Sequence, residues 1–392
     1  MVKVVLKSGK DQSARRLHPW VFSGAIKKFY GEPYEGCLIE VFDNKDEFLG
    51  IGHYQVGSIA VRILSFEKTE IDQDFWNRKI SNAWNYRKNI GIIDNDKTNV
   101  FRLIHAEGDE LPGLIVDFYN GTAVVQMHSV GMYKNRDQII NAIRDVAGDK
   151  IVAVYDKSST TLPFKADLNA TDGYIFGESN INEVSENGLK FKIDWKKGQK
   201  TGFFVDQREN RQLVREISAG KKVLNVFGYT GGFSVYAMAG GAELVHTVDS
   251  SARAVELADE NIALNFSDTK RHKSFAVDAF DFIENMKDDY DVVILDPPAF
   301  AKHNNVLHNA LQGYKKLNLK AMQKMKPGSI LVTFSCSQVV SKEEFRKSVF
   351  AAATQCGKTV RIMKQLTQPS DHPVNIFHPE SEYLKGLVLY LA

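Results

Sequence analysis

The feature of this sequence that most constrains its fold is a regular alternation of short apolar runs and helix-like stretches after residue 220. The strand-like runs are separated by helical stretches of about 10 to 20 residues, and they cover residues 223–227, 244–249, 274–277, 292–295 and 330–334. Such alternation is typical of a mostly parallel, doubly wound α/β sheet. Two last runs, 360–366 and 384–391, have no helix between them, so they predict an antiparallel pair that completes a seven-stranded sheet.

The turn after the first of these strands has the composition of a nucleotide-binding turn. In K-V-L-N-V-F-G-Y-T-G-G-F the apolar run ends at Gly228, and Gly231 and Gly232 precede a helix-like segment. Such a turn brings bare backbone and a helix N-terminus to the carboxyl edge of the sheet. The G-x-G-x-x-G fingerprint is absent because Tyr229 and Thr230 follow Gly228. The turn therefore favours an adenosine ligand without a pyrophosphate.

Carboxylates follow at the ends of the next three strands. Asp249 lies about 20 residues beyond the turn, where a carboxylate accepts hydrogen bonds from both hydroxyls of a ribose. Asp278 ends the third strand and is expected to bind an adenine amino group. Asp296 ends the fourth, in D-V-V-I-L-D-P-P-A-F. Because carboxyl ends of parallel strands meet at one edge, these positions predict a single ligand-binding edge.

Length and composition limit the other possibilities. A chain of 392 residues is long enough for two or three domains, and 43% hydrophobic with 25% charged residues is typical of a soluble globular protein. The sequence has neither an apolar leader nor a long apolar run, so we expect a cytoplasmic protein. Three widely spaced cysteines predict neither a disulfide framework nor a zinc cluster.

Two further regions precede the alternating one. Residues 1–67 form a β-rich module with strand-like runs at 2–6, 37–42, 48–54 and 59–64. Residues 71–176 predict an α+β domain with a long amphipathic helix, a hairpin through Asn120-Gly121 and a helix over 132–147, and we find no catalytic constellation there. The third domain is expected to span 177–392 and to open with a hairpin at Asn187-Gly188.

Basic residues are concentrated in two places although the net charge is only +2. Residues 1–30 contain seven lysines or arginines against the single carboxylate of Asp11, and residues 314–326 contain five lysines. Such patches suit a phosphate-bearing macromolecule bound at one face. Ordinary solvated faces explain the charges equally well, and charge alone leaves both interpretations open.

Taken together, the motifs mark a specific resemblance. The succession N-V-F-G-Y-T-G-G-F, V-D-S, V-D-A-F, L-D-P-P-A-F and T-F-S-C-S is similar to class I S-adenosylmethionine methyltransferases. The segment R-R-L-H-P-W-V-F-S-G-A-I, with its flanking strands, resembles a PUA domain, a small RNA-binding barrel. With K-T-G-F-F-V-D-Q-R-E-N-R, the whole chain resembles the RlmI family of 23S rRNA cytosine-5 methyltransferases, and this implies a Rossmann-like methyltransferase domain.

The resemblance implies S-adenosylmethionine as cofactor, 23S rRNA as partner, a homodimer and no membrane. It assigns cofactor contacts to Phe203, Asp206, Asn225, Phe227, Gly228, Thr230, Gly231, Asp249, Asp278 and Asp296. Asn225 departs from the acidic residue found there in many methyltransferases, which weakens a contact with the methionine amino group. RNA contacts are expected at Arg15, Arg16, Trp20, Lys200, Arg208 and Lys302, although Trp20 and Phe203 suit the core equally well.

Cys336 is the predicted catalytic nucleophile. Carbon 5 of a pyrimidine is a poor nucleophile until a thiolate adds to carbon 6, so this chemistry requires a cysteine at the ligand edge. Cys336 follows the fifth strand in Ser335-Cys336-Ser337, and Asp296 is expected to hold or protonate the ring. Cys37 and Cys356 are interpreted as buried structural thiols.

Other functions remain open at this stage. An amino-group methyltransferase uses a similar D-P-P motif with an aromatic residue, here Phe300, that stacks on the target base. A non-catalytic RNA-binding assembly factor would use only the PUA-like module, and a nicotinamide dehydrogenase lacks its fingerprint. His372 and His378 suggest a loop role at the active site, since no third ligand is spaced to complete a metal site with them.

Overall fold

The computed structural model describes residues 1–163, 168–287, 289–301 and 303–392. The chain divides into two compact units. The first unit contains Met1–Val184, Ile193–Phe203 and Ser370–Ser381, and the second contains Ser185–Lys192, Phe204–Pro369 and Glu382–Ala392. Within the described residues, no helix has both the length and the apolar character needed to cross a membrane.

The N-terminal part of the first unit is a six-stranded sheet in the order β2-β6-β5-β4-β1-β3. Its strands are β1 (Val2–Leu6), β2 (Trp20–Phe22), β3 (Ile26–Tyr30), β4 (Leu38–Phe42), β5 (Phe48–Tyr54) and β6 (Ile59–Ser65), and helix α1 is Gln12–Arg15. Four of these strands lie where the sequence predicts them. The sequence did not indicate β2 and β3, because they are short and only one of their residues, Val21, is fully buried.

The central part of the first unit is a five-stranded sheet in the order β11-β10-β9-β8-β7. Its elements are α2 (Gln73–Asn89), β7 (Val100–His105), β8 (Leu114–Tyr119), β9 (Thr122–Met127), α3 (Val130–Lys134), α4 (Arg136–Ala147), β10 (Ala153–Asp156) and β11 (Gly173–Phe176). Asn120 and Gly121 have φ values of 44° and 97°, which suit the tight turn predicted between β8 and β9. The helix predicted over 132–147 is two helices that meet at Asn135, whose side chain caps the carbonyl of Gly131.

The second unit is built on a seven-stranded sheet, as the strand and helix alternation predicts. A hairpin of β12 (Glu183–Glu186) and β13 (Leu189–Lys192) precedes it. The sheet strands are β14 (Lys222–Val226), β15 (Leu244–Asp249), β16 (His272–Ala276), β17 (Val292–Leu295), β18 (Ile330–Ser335), β19 (Val360–Thr367) and β20 (Lys385–Leu391). The helices are α5 (Arg208–Ile217), α6 (Gly232–Ala239), α7 (Ala252–Asn265), α8 (Ala279–Glu284), α9 (Leu307–Lys324) and α10 (Lys342–Cys356).

Strand order in this sheet determines where a ligand can bind. The order is β16-β15-β14-β17-β18-β20-β19, with parallel pairing from β16 to β18 and antiparallel pairing of β20 with β18 and β19. The chain leaves β14 toward β15 on one side and returns to β17 on the other. Doubly wound sheets bind ligands in the crevice at this switch point, beyond the carboxyl ends of the strands. The glycine turn after β14 and the D-P-P loop after β17 both lie at that edge.

Candidate active site

The turn between β14 and α6 has an unusual backbone. Phe227 and Tyr229 adopt left-handed conformations with φ of 62° and 45°, on either side of Gly228. Each such non-glycine residue costs about 1 kcal/mol or more, and residues of this kind cluster at ligand sites. A Cβ added at Gly228 would lie 2.4 Å from Cγ2 of Thr247, so only glycine fits. At Gly231 φ is 75°, which also favours glycine, before α6 begins.

Asp249 holds this turn in place from the end of β15. Its Oδ2 accepts a hydrogen bond of 2.9 Å from the backbone N–H of Tyr229, and its Oδ1 accepts one from Ser251 at the start of α7. Asp278 is exposed and does not lie within the third strand. It is the N-cap of α8, where its Oδ1 accepts hydrogen bonds from the N–H groups of Phe280 and Asp281. Asp249 is thus the last residue of β15, and Asp278 lies two residues beyond the end of β16.

Asn225 lies in the interior of the second unit. It is fully buried in β14, and its Nδ2 donates a 2.9 Å hydrogen bond to Oγ of Ser234 in α6. Ser234 in turn bonds Thr247, and Thr247 bonds His272, so these residues form a buried polar chain. Thr230 is also buried, and its carbonyl accepts a hydrogen bond from Asn261. These contacts position α6 and α7 against the sheet.

The D-P-P loop is joined to the short 3-10 helix that precedes α5. Gln207 in this 3-10 helix donates a 2.9 Å hydrogen bond from Nε2 to Oδ2 of Asp296, which fixes the orientation of the carboxylate. Oδ2 of Asp206 accepts a 2.6 Å hydrogen bond from the hydroxyl of Tyr383. The sequence alone did not indicate a role for Gln207 or Tyr383. Gln207 lies inside the quoted D-Q-R-E-N motif, whereas Tyr383 has no signal of its own.

Cys336 and the D-P-P loop lie together at this edge. Cys336 directly follows β18, is half-buried, and its Sγ lies 3.9 Å from the carbonyl oxygen of Pro297. Parallel pairing of β17 with β18 accounts for this proximity. Ser337 is anchored from α9 by a 2.8 Å hydrogen bond with the hydroxyl of Tyr314. Cys37 is buried as expected, whereas Cys356 is only half-buried because it is the last residue of α10.

Lys385 is a further residue at this edge, and the sequence motifs did not indicate it. It is the first residue of β20 and is only 5% exposed. Its Nζ donates hydrogen bonds of 2.6 Å to the carbonyls of Ser337 and Val340. Burial lowers the pKa of Lys385 to about 8, while the negative charge of a Cys336 thiolate acts in the opposite direction. A lysine at the start of the otherwise apolar run L-K-G-L-V-L-Y-L is the signal that could have revealed it.

The two predicted aromatic contacts differ in their surroundings. Phe203 is buried in the first unit, where its carbonyl accepts a 3.5 Å hydrogen bond from Tyr119. Phe300, which follows the D-P-P motif, packs its ring against Tyr314 with centroids 4.6 Å apart.

The predicted RNA contacts are dispersed. Arg15 is bound to three carboxylates, those of Asp11, Asp43 and Glu47, at 2.5 to 2.6 Å. Trp20 donates from Nε1 to Glu107 at 2.8 Å and packs edge-on against His378. The remaining predicted residues are Arg16 and Lys200, which are exposed, Arg208, which is buried at the start of α5, and Lys302, which lies outside the described residues.

His378 does have neighbours that resemble metal ligands. Its Nε2 and that of His18 lie 3.8 and 3.3 Å from Oε2 of Glu380, a grouping the sequence could not show because His18 is near the other end of the chain. The backbone N–H of Trp20 donates to Nδ1 of His18, so a neutral His18 carries its proton on Nε2. That tautomer donates to Glu380 and leaves Nε2 no lone pair for a metal. His372 lies apart, beside Asp371.

Comparisons with known proteins agree with this architecture. A family model described as S-adenosylmethionine-dependent methyltransferase matches residues 102–375, and a PUA-like domain model matches residues 4–66. Among solved structures, a Streptococcus mutans protein described as a SAM-dependent methyltransferase aligns over 100% of both chains with a TM-score of 0.86 at 23% identity. A methyltransferase structure complexed with SAH, SMU.776, aligns equally fully with a TM-score of 0.87 at 24% identity. These two structures support the fold.

Curated relatives are similar along nearly the whole chain. Ribosomal RNA large subunit methyltransferase I of Alteromonas mediterranea is 40% identical over 98% of both chains. The protein of that name from Aeromonas hydrophila is 38% identical, again over 98% of both chains. The Rossmann-like methyltransferase fold, the PUA-like domain and S-adenosylmethionine as cofactor are thereby confirmed. This chain belongs to the S-adenosylmethionine-dependent methyltransferase family that contains ribosomal RNA large subunit methyltransferase I.

Proposed function

We propose that this protein methylates carbon 5 of a cytosine in 23S rRNA and that Cys336 is the nucleophile. The names of the curated relatives support large-subunit ribosomal RNA as the substrate. The observation that carries the mechanism is a half-buried cysteine whose Sγ lies 3.9 Å from the D-P-P loop, at the ligand edge of the sheet. A thiol in that place is required for carbon-5 chemistry and has no use in methylation of an amino group.

The thiolate of Cys336 forms a bond to carbon 6 of the cytosine. The electron pair of the C5–C6 double bond moves to carbon 5, which then bonds the methyl carbon of S-adenosylmethionine while the bond from that carbon to the sulfonium sulfur breaks and leaves its electron pair on sulfur. Loss of the carbon-5 hydrogen as a proton to solvent restores the double bond, and the electron pair of the S–C6 bond leaves with the sulfur of Cys336. The products are 5-methylcytosine, S-adenosylhomocysteine, a proton and the regenerated thiolate, so Cys336 is not consumed.

Asp296 is suited to hold the base during this addition. Gln207 fixes one carboxylate oxygen by its 2.9 Å hydrogen bond, which orients the group for contact with N3 and the exocyclic amine of cytosine. Negative charge on the ring rises as the thiolate adds, so a proton shared with Asp296 stabilises the adduct.

The residues at the glycine turn fit an adenosine ligand. Asp249 and Asp278 provide carboxylate acceptors, and the left-handed residues Phe227, Tyr229 and Gly231 provide approachable backbone without a phosphate cradle. We assign the adenosine to this edge and the methionine end to the side of Asp206 and Asp296. When bound, S-adenosylmethionine supplies an electrophilic methyl group.

The target base must leave its stack to reach Cys336. Enzymes that act on a base inside folded nucleic acid extrude it into the active site or bind it single-stranded. Arg16 and Lys200 are exposed. A contact of Arg15 with phosphate would instead have to displace its three carboxylate partners.

Amino-group methylation has less support. That reaction uses the aromatic residue after D-P-P to stack on the target base, whereas the ring of Phe300 already packs on Tyr314. It also leaves Cys336 without a role.

Methylation of unmodified 23S rRNA with labelled S-adenosylmethionine, followed by mapping of the labelled base, tests the proposal. We expect 5-methylcytosine. RNA that contains 5-fluorocytidine should become covalently attached to the protein, because fluorine cannot leave carbon 5 as a proton does. Cys356→Ala should trap this RNA normally and Cys336→Ala should not. Label on an exocyclic amine, or trapping by Cys336→Ala, would contradict the proposal.

A further inference from the structure

Strand register brings Lys385 to the cysteine. In the antiparallel pair of β18 and β20, Lys385 lies opposite Ser335, the last residue of β18. Cys336 is the next residue. Lys385 at the start of β20 and Cys336 just after β18 therefore lie at the same edge of the sheet, beyond the carboxyl end of β18.

The ammonium of Lys385 holds the loop that begins at Cys336. Its Nζ donates to the carbonyls of Ser337 and Val340, each at 2.6 Å, and Ser341 is already the N-cap of α10. These two hydrogen bonds use two of the three ammonium hydrogens. Among the described residues, no carboxylate lies within ion-pair distance of Nζ, although the side chain is only 5% exposed. Burial of a cation without an anionic partner is unfavourable. A neighbouring group that becomes negatively charged would therefore stabilise the ammonium of Lys385.

Cys336 is the neighbour that meets this need. Other charges around Lys385 are those of Glu344, Glu382 and Lys342. Glu344 already accepts a hydrogen bond from the N–H of Ser341, and Glu382 is paired with Lys342. The hydroxyl of Tyr314 also faces this loop, and burial raises its pKa, so it stays neutral. A positive charge beside a thiol favours the thiolate.

We propose that Lys385 is a positioning residue for Cys336, which fixes the thiol-bearing loop through two backbone carbonyls and stabilises the thiolate with its uncompensated charge. The role in turnover rests on the proposed function. The effect on the thiol does not, because it exists without RNA or cofactor. The thiol proton goes to solvent, and Lys385 keeps its own protons.

Thiol reactivity gives a direct test. The double variant Cys37→Ser/Cys356→Ser leaves Cys336 as the single cysteine of the chain. Its alkylation rate with iodoacetamide, measured from pH 5.5 to 9.5, gives the pKa of the thiol. We expect a midpoint below the ordinary value of about 8.5. A midpoint at or above that value would overturn the proposal without any further variant.

Lys385→Met in this background should move the midpoint up by about one pH unit and slow alkylation at pH 7 about tenfold. Lys385→Arg retains the positive charge, so its alkylation midpoint and its rate at pH 7 should lie close to those of the unsubstituted background. Lys342→Met removes a nearby lysine that is 53% exposed and paired with Glu382, and should change nothing. Binding of SAH to each variant verifies that the second unit is folded. A midpoint unchanged in folded Lys385→Met would refute the electrostatic role.

Turnover separates the two proposals. With Lys385→Met, kcat for RNA methylation should fall at least tenfold, with KM for RNA little changed. If Cys336→Ala methylates RNA normally, the nucleophile assignment fails while the alkylation profiles still decide the effect of Lys385 on the thiol.

Discussion

Arg87 in the first unit and Lys385 in the second are both buried cations, and they are held in opposite ways. Arg87 is fully buried and forms a bidentate pair with Asp109, while its remaining hydrogens are donated to the carbonyls of Ala83, Arg102 and Asp371. In the part of the second unit that the structure describes, Lys385 is bound only by carbonyl oxygens. The charge of Arg87 is neutralised where it lies, and that of Lys385 is not.

This difference shows that burial of a charge is not by itself a sign of function. Arg87 and Asp109 join α2 to the turn after β7, and a buried pair of this kind is fully used by the structure. Lys385 becomes informative because a half-buried thiol lies at the same edge.

The largest effect is expected at the group that Lys385 serves. Cys336→Ala should lower the rate of RNA methylation by at least about 10⁴-fold, equivalent to about 5.5 kcal/mol of activation free energy, because the covalent route is lost. Affinity for SAH, measured by calorimetry, should stay within about twofold. Cys356→Ala is the matched control. A residual rate above one hundredth of the wild-type rate would show that Cys336 is not the essential nucleophile, and Lys385 would then have no role in turnover through this thiol.

Arg87→Met should cost about 3 to 5 kcal/mol of unfolding free energy, since Asp109 would remain buried without its partner. All four tryptophans, Trp20, Trp76, Trp84 and Trp195, belong to the first unit, so tryptophan fluorescence in urea reports on that unit. Lys347→Ala breaks the exposed pair with Glu343 and should change the free energy by less than about 0.5 kcal/mol. Equal effects of the two substitutions would show that Arg87 is not structurally important.

Mild acid should lower the free energy of unfolding of the first unit through its buried histidines, whereas the protonation of Lys385 should not contribute. Burial lowers the pKa of His53 to about 4 and holds that of His105 well below its usual range, where His372, Arg102 and Arg87 add to the effect. Their folded pKa values lie below the unfolded value of about 6.5, so their contribution is complete above pH 6.5 and is lost as the pH falls toward 4.

Together these two histidines should therefore cost about 2 kcal/mol between pH 6.5 and 5.5, about 1 kcal/mol each, measured by urea unfolding with tryptophan fluorescence. Lys385, with a pKa near 8, stays protonated throughout this range and adds no slope. His53→Gln should reduce the slope. A free energy of unfolding that is constant from pH 7 to 5 would contradict this prediction.

The smallest effect is expected at Asp249, a charge that binds two backbone N–H groups and is also proposed to bind the ribose. Asp249→Asn should raise the Kd for SAH about tenfold, or about 1.4 kcal/mol. Asp259→Asn, on the exposed side of α7, serves as the control. An unchanged Kd would show that Asp249 only holds the turn.

Much of the second unit was predictable because its central strands β14, β15, β17 and β18 are almost entirely buried and appear as continuous, mostly apolar runs. The same pattern indicated Asp296 and Cys336, which the structure brings to one edge. Lys385, Gln207 and Tyr383 were not predictable, because their importance arises from strand register and from contacts between distant segments. The short strands β2 and β3 were missed for a related reason, since they are mostly exposed and carry no clear alternation.

The division of the chain also limits how this protein can be dissected. The chain passes between the two units five times, and residues 193–203 and 370–381 return to the first unit. There Thr201 donates to Asp117, and Asp371 accepts the backbone N–H of Arg102. A fragment that ends at residue 184 would therefore lack groups that complete its own interior. Because each unit is made of three separate segments, cleavage of the chain at a single point cannot yield both units complete.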